Sequence, residues 1–499
     1  MSPLTKASEP SKIPSPGKVF TDGGILEQCW DGKNTYYCKS WAWQNDWPNI
    51  KFEKLAECNE GLQGATFVPL EDEVLSKGIV VLPSEPMEYG KETELLAILQ
   101  DFINKWCEIS PEMSRLLAGY SMLTWVYQKC PAMPIVNARG GAGTGKTRLL
   151  ETMRHVCYRG LRASGCLSFS AMFRTAERWG GTLCINEGDL KNSSETAEIV
   201  KFLNERYEKG GSVWRTNPDS MKGEYFNAFG PTVMTTRQQF GDNALESRCI
   251  IVPMAERTRT DIPLNLPPEF YDEALILRNK LLMFRFRNLG RFNNDYKLEF
   301  EGLSPRMNQI LQPLASLAQS ISPEFYDEIK GMVFELQQRI VEAASESEDG
   351  MIVRAVFDME SYGKSEFTPK EISDAIAENG GEVKPVKVGK RLMGLGFKPN
   401  RQGKKRLYSL PGAQRETLKR RFVPQEAVSG SSSNDTSDRY DGPGENDTRF
   451  LLNLIGTVRP LREKIEQCYP NLKSHLAELI ERGWLGTQTN GELFVAKRE

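Results

Sequence analysis

Gly140-Gly141-Ala142-Gly143-Thr144-Gly145-Lys146-Thr147 follows shortly on an apolar run, residues 132–136, and opens a helical segment that reaches about residue 158. Its spacing, Gly, four residues, then Gly-Lys-Thr, is the phosphate-loop pattern. A triphosphate needs a loop nearly free of side chains, so that successive backbone N–H groups turn inward around its oxygens, and Gly140, Gly141, Gly143 and Gly145 permit this. Lys146 is placed to reach the β- and γ-phosphates and the Thr147 hydroxyl to sit on Mg²⁺, while the helix that follows aims its positive end at the same anion. Ala142 and Thr144 complete the cradle. The strand, loop and helix together predict a bound ATP.

The 499 residues suit about three domains. With 64 basic against 66 acidic side chains, overall charge says nothing about nucleic acid, and only local patches can. The ten cysteines include no C-x-x-C pair and the chain has two histidines, His155 and His475, so free thiols are a better reading than a zinc site. That preference extends to Cys29, Cys38 and Cys58, the one group whose convergence on a metal is conceivable. No apolar run approaches a membrane span and the N-terminus lacks the apolar core of a signal peptide, so a soluble, cytoplasmic protein is expected.

Residues 1–20, rich in Ser, Pro and Lys, are expected to be disordered. Residues 21–85 read as a small β-rich domain with a hairpin turn at Asp31-Gly32, its core including Trp41, Trp43 and Trp47. Residues 86–130 turn helical, with Leu95, Leu96, Leu99, Phe102, Ile103 and Trp106 at three- and four-residue spacing. Strands and helices then alternate, the pattern of a parallel sheet with its ligand at the carboxyl ends. The strand 182–185 ends in Asn186-Glu187-Gly188-Asp189. Glu187 is the candidate to orient the water that attacks the γ-phosphate. Asn186 is a metal-ligand candidate for Mg²⁺, with an oxygen but no charge. A polar turn between 212–215 and 224–227 reads as an inserted hairpin, and the strand 231–236 ends in Thr235, Thr236 and Arg237.

These segments, GGAGTGKT, LCINEGD, the hairpin, VMTTR and ALESR, taken in order, resemble the AAA+ ATPase core. Within it the likeness is to minichromosome-maintenance-like and superfamily-3-like helicases, including those of plasmids, phages and other mobile elements. It covers roughly residues 130–320, and Asn186 departs from the family's Asp-Glu. The resemblance implies an α/β fold with a P-loop core at 131–260 and a helical lid at 261–345. It makes Thr236, or its neighbour Thr235, the first sensor, and Arg248 an arginine finger reaching the neighbouring subunit's ATP. Arg306, at the start of a lid helix, matches the second sensor, with Arg278, Arg285 and Arg287 as rivals. On the hairpin, Lys222 and Arg215 are the candidates to grip DNA, with Lys209 as a third choice. Hydrolysis that depends on a neighbour's arginine implies a homo-oligomeric ring, a hexamer.

Residues 350–411 read as a winged helix: three helices, the second opened by Thr368-Pro369-Lys370-Glu371, then two strands. From Lys384 to Arg406 there are nine basic residues and no acidic one. Lys387, Lys390, Arg391, Arg401, Lys404 and Lys405 are therefore candidates for duplex DNA. Residues 412–446 are expected to be a disordered linker and 447–499 a second winged helix, a contact for a replication partner. The sequence thus predicts an ATP-driven DNA helicase or translocase, acting as a ring in the replication of a mobile element. Two alternatives stand beside it: a DNA-binding initiator, loader or remodelling ATPase that does not unwind, and a nucleotide-binding scaffold that does not hydrolyse.

Overall fold

The structure, a computed structural model, describes residues 11–41, 50–60, 65–163, 169–186, 194–216, 221–240, 242–301, 303–402, 405–424, 485–487 and 493–495. The chain divides into two compact units, Met1–Gln425 and Glu426–Glu499. In the first, β1 (Lys12–Pro14), β2 (Gly17–Val19), β3 (Ile25–Trp30), β4 (Thr35–Ser40), β5 (Phe52–Leu55) and β6 (Thr66–Val68) precede the short α1 (Glu73–Ser76). Strands β2 to β5 form an antiparallel sheet in sequence order, and β1 pairs parallel with β6. At the β3–β4 turn the Asp31 carboxylate accepts from the N–H groups of Lys33 and Asn34, and Gly32 supplies the positive φ of +94°.

Two expectations fail here. Residues 12–19 carry strands β1 and β2 in place of disorder, because distant partners hold them: Tyr37 Oη donates to the Ser15 carbonyl and an Arg159 N–H to that of Pro16. Trp41 is half exposed, outside any core, with the Lys39 ammonium 4.0 Å from its ring centre. Trp43 and Trp47 lie outside the described residues.

Next come the helices α2 (Glu92–Trp106) and α3 (Pro111–Thr124), which pack on each other through their apolar stripes. Ser110 caps α3, accepting from the Met113 N–H, and Pro111 occupies the first helical position, where no N–H is needed. The mixed α/β centre follows: β7 (Ile135–Arg139), α4 (Lys146–Val156), β8 (Leu161–Ala163), α5 (Phe169–Trp179), β9 (Leu183–Asn186), α6 (Ser194–Arg206), β10 (Ser212–Thr216), β11 (Gly223–Asn227), β12 (Thr232–Thr236), α7 (Asn243–Glu246) and β13 (Cys249–Pro253). Five of these strands form one parallel sheet in the order β13-β7-β12-β9-β8, and β10 and β11 form a separate antiparallel hairpin. Successive side chains of a strand face opposite sides. Val136, Ala138, Cys184 and Val233 accordingly join the core around α4, while Ile135, Leu183, Ile185 and Met234 join the core with α5 and α6.

Beyond the sheet, α8 (Pro268–Asn288), α9 (Pro305–Ile321) and α10 (Pro323–Ser345) extend the first of those cores. A separate apolar cluster then holds α11 (Glu348–Ser361), α12 (Pro369–Glu378), α13 (Pro385–Gly394), β15 (Lys405–Ser409) and α14 (Gly412–Phe422), and β14 (Lys398–Gln402) pairs antiparallel with β15. The cap of α12 is reciprocal: the Glu371 N–H donates to the Thr368 hydroxyl, and the Thr368 N–H to the Glu371 carboxylate. Helix α14 corrects the expectation of a linker from 412, since Leu418 and Phe422, one turn apart, are buried in the cluster. In the second unit, β16 (Leu485–Thr487) pairs antiparallel with β17 (Leu493–Val495), and the remaining residues of the expected second winged helix lie outside the described residues. No helix among the described residues is long and apolar enough to cross a membrane.

One buried carboxylate joins the N-terminal sheet to the centre. Glu27 of β3 accepts from Arg159 at 2.6 Å, from Arg285 of α8 at 2.6 Å and from the Tyr158 hydroxyl at 2.8 Å. Burial works against its charge, yet the two guanidinium groups prevail and hold its pKa below the usual carboxylate value. Removing one member of such a group leaves an uncompensated buried charge. Glu27→Gln is expected to cost about 3–5 kcal/mol, read as a lower urea midpoint of the transition that reports the central sheet.

Candidate active site

The loop between β7 and α4 is shaped by its glycines. A Cβ at Gly140 would stand 2.4 Å from the Met254 carbonyl oxygen, and Gly145, in the cap position of α4, has φ +83°. Lys146 Nζ donates to the carbonyls of Gly140, at 2.7 Å, and Gly141, so the ammonium is drawn over the loop. Thr144 is buried and donates to the Gly141 carbonyl. Gly143, Thr144, Gly145 and Thr147 line a cavity of about 800 Å³, which Asn186 enters from β9. Trp106, Leu264, Leu266 and Tyr271 line it too. The wall they belong to is pinned by Glu108, which accepts from the N–H groups of Thr258 and Arg259, and by Arg148 of α4, which donates to the carbonyls of Pro263 and Leu264.

The parallel register brings Thr235 opposite both Ala138 and Asn186. The Thr235 hydroxyl donates to Asn186 Oδ1 at 2.9 Å. Thr236 faces the other side of the sheet and donates to Asn137 Oδ1 at 3.1 Å. Of the two threonines, the one on the α4 side is therefore Thr235, and the pleat gives the reason. Glu187 lies outside the described residues. Arg139, the last residue of β7, holds Glu246 of α7 in a two-pronged ion pair at 2.6 and 2.8 Å. The composition of that stretch gave no sign of the pair, because its members are 107 residues apart.

Arg248 and Arg306 stand away from this cavity. The Arg248 carbonyl accepts from the Ile135 N–H, at the amino end of the sheet, a strand length of roughly 16 Å from the carboxyl ends. Both guanidinium groups lie against one ring, Tyr207, at 4.5 Å for Arg248 and 5.3 Å for Arg306, and Arg306 also donates to the Tyr207 hydroxyl. Arg306 is thus no part of this chain's own cavity wall. The rivals are engaged elsewhere: Arg278 with the Leu82 and His155 carbonyls, Arg285 with Glu27, and Arg287 with Glu88.

Arg215 is turned from the outer face of the hairpin. Its guanidinium lies 5.0 Å from the Phe169 ring and 3.2 Å from the Glu198 carboxylate, because its strand position falls on the packed side. Lys222 is exposed beside the turn, and Lys209 donates to the Gln128 carbonyl. On α13, Lys387 and Arg391 are paired with Glu348 at the start of α11, and Arg391 also with Asp349. Lys390 and Arg401 are exposed; Lys404 and the Lys405 side chain lie outside the description.

The chain matches no protein-family model and no curated protein. Among solved structures it is similar to the C-terminal region of NrS-1, with 11% identity over 77% of this chain and 96% of that one, at a TM-score of 0.34. It is similar to SCCmec type IV Cch, described as an active helicase, with 12% identity over 82% and 81%, at 0.39. It is also similar to the inhibitor-bound JCV helicase, with 12% identity over 49% and 66%, at 0.22. Likenesses this distant transfer no residue role to this chain.

Glu151, which lines the same cavity one turn along α4 from Thr147, binds Arg154 at 2.6 Å, Arg162 at 2.7 Å and His155 at 3.1 Å. Burial pushes the His155 imidazole down to about 4, against the opposing pull of Glu151, from an ordinary 6.5. Between those values the unfolded chain takes up a proton that the folded chain refuses. The stability present above pH 6.5 is therefore lost as pH falls towards 4, at up to about 1.4 kcal/mol per pH unit. His155→Gln is expected to flatten that slope, measured as urea midpoints at pH 7, 6 and 5.

Proposed function

We propose that this protein is an ATP-driven motor on DNA, a helicase or translocase that works as a homo-oligomeric ring, a hexamer, in the replication of a mobile element. The observation that carries the reading is the division of polar groups between two ends of one parallel sheet. At the carboxyl end Gly143, Thr144, Gly145, Thr147 and Asn186 line a single cavity, Lys146 lies over the loop that forms its edge, and Thr235 is hydrogen-bonded to Asn186. At the amino end Arg248 and Arg306 share Tyr207. An arginine that far from its own chain's cavity is of use to a nucleotide held by an adjoining copy.

In this reading the loop's N–H groups and Lys146 hold the triphosphate of ATP, as an AAA+ P-loop does. Glu187 orients the attacking water, and Thr235, in preference to Thr236, senses the γ-phosphate through its bond to Asn186. Thr147 and Asn186 offer neutral oxygens, which suit Mg²⁺ when phosphate oxygens and waters complete its shell; the ion, when bound, would neutralise charge on the phosphates. Arg248 supplies a cation to the neighbouring subunit's transferred phosphoryl group, and Arg306 supports it through the shared ring. The unit from α11 to β15, read as a winged helix, meets duplex DNA through Lys390 and Arg401 first, since Lys387 and Arg391 are already paired within the protein.

The second reading, a DNA-binding switch that loads or remodels without unwinding, is favoured by Asn186. Its amide brings no charge to the metal, and one lone pair of its oxygen is already taken by Thr235. A forked-substrate strand-displacement assay run beside ATP turnover separates the two. Lys146→Ala is expected to abolish both activities. Arg248→Ala should lower DNA-stimulated turnover by about 10³ or more while leaving ATP affinity near wild type. Turnover without displacement in the wild type would establish the switch, and ATP binding without turnover would establish a scaffold.

A further inference from the structure

Strand alternation gives the hairpin β10–β11 two unlike faces. On one, Phe226 is buried with its ring 4.8 Å from that of Phe173, Arg215 meets Glu198, and Glu224 meets Arg174. On the other, Trp214 and Tyr225 stand directly opposite each other in register, edge to face, with ring centres 5.4 Å apart. They are 68% and 50% exposed, and Met221, beside the turn, is 77% exposed. Among the described residues nothing covers these rings.

The chemistry around the rings says what does. The other described positions of the outer face are Ser212, Thr216, Gly223 and Asn227, none of them charged, and the exposed Lys222 stands at the turn end. Among the described residues of this face there is no carboxylate: Glu224 is turned to the packed side and matched there by Arg174. Two flat rings, neutral hydrogen-bonding groups and a cation complement a polyanion that carries flat rings of its own. We propose that Trp214 and Tyr225 form a stacking platform for the bases of single-stranded nucleic acid. This inference rests on the motor reading and deepens it, since it replaces Arg215 with the two rings as the means by which the hairpin holds a strand. Stacking tolerates any sequence because every base has a π-face, which suits an element that must pass along a strand.

The test uses the full-length chain with two fluorescently labelled probes of equal length, an oligothymidylate and an oligomer of abasic deoxyribose phosphates. The wild type is expected to bind the thymidylate more tightly. The double variant Trp214→Ala, Tyr225→Ala should lose about ten- to a hundredfold on the thymidylate alone, with the salt dependence of binding unchanged because no phosphate contact is removed. Trp214→Phe, which keeps a ring, should retain most of the affinity and controls for folding. Lys222→Ala should weaken both probes alike and flatten the salt slope. Equal wild-type affinity for the two probes, with unwinding intact, would overturn the platform while leaving the motor standing. Equal losses on both probes by the double variant would also overturn it, as would dissociation of the oligomer, which would make this face a contact between copies. Binding of neither probe by the wild type would remove both readings together.

Discussion

The parallel insertion of β12 between β7 and β9 is the constraint on which the rest depends. A parallel ladder fixes direction as well as register, so the last residues of all three strands end together. That alignment sets the Thr235 hydroxyl against Asn186 and puts the Gly140–Thr147 loop next to both. It also decides what stays away. Arg248 immediately precedes β13, which is parallel to the same ladder, and so it must stand at the opposite end. The separation between the cavity and the Arg248 backbone is thus a property of strand direction.

Much of this arrangement is legible in the residues, and the limits follow from physics. The glycine-rich loop announces itself because its chemistry is local: backbone N–H groups, one lysine and one hydroxyl within eight positions. The hairpin and the caps at Thr368 and Ser110 are local for the same reason. Faces are harder. Whether Thr235 or Thr236 looks toward α4, and whether Arg215 looks toward solvent, depends on one-residue parity that only the packed neighbours decide. In both cases the residue type suggested a candidate, and the pleat turns that side chain to the other face.

Long-range pairing is a second source of error. Lys387 and Arg391 read as free phosphate ligands from the run of basic residues around them, yet Glu348 and Asp349 hold them from another helix. Such exposed pairs are each worth roughly 0.2–1 kcal/mol, so they bias those side chains without removing them from reach of a stronger anion. Residues 412–422 failed for a different reason. Their many charges hide a two-residue apolar contact, Leu418 and Phe422, that suffices when the surface to be covered is small.

Buried charge explains how the hairpin is joined to the sheet. Arg206, the last residue of α6, is fully buried and donates to Thr232, where β12 begins, and to the carbonyls of Ala228, Gly181 and Pro231. Burial brings its pKa down to about 10, still far above neutrality, so the cation persists at working pH with its charge dispersed over carbonyl dipoles. Gly230 is required beside it, for a Cβ there would stand 2.8 Å from a guanidinium nitrogen. A hydrogen-bonded cation that links the end of one helix, the exit of a hairpin and the start of a strand leaves that joint little slack. Helix α6, the hairpin's exit and β12 are therefore coupled through one side chain, and β12 is the strand that carries Thr235 to the cavity.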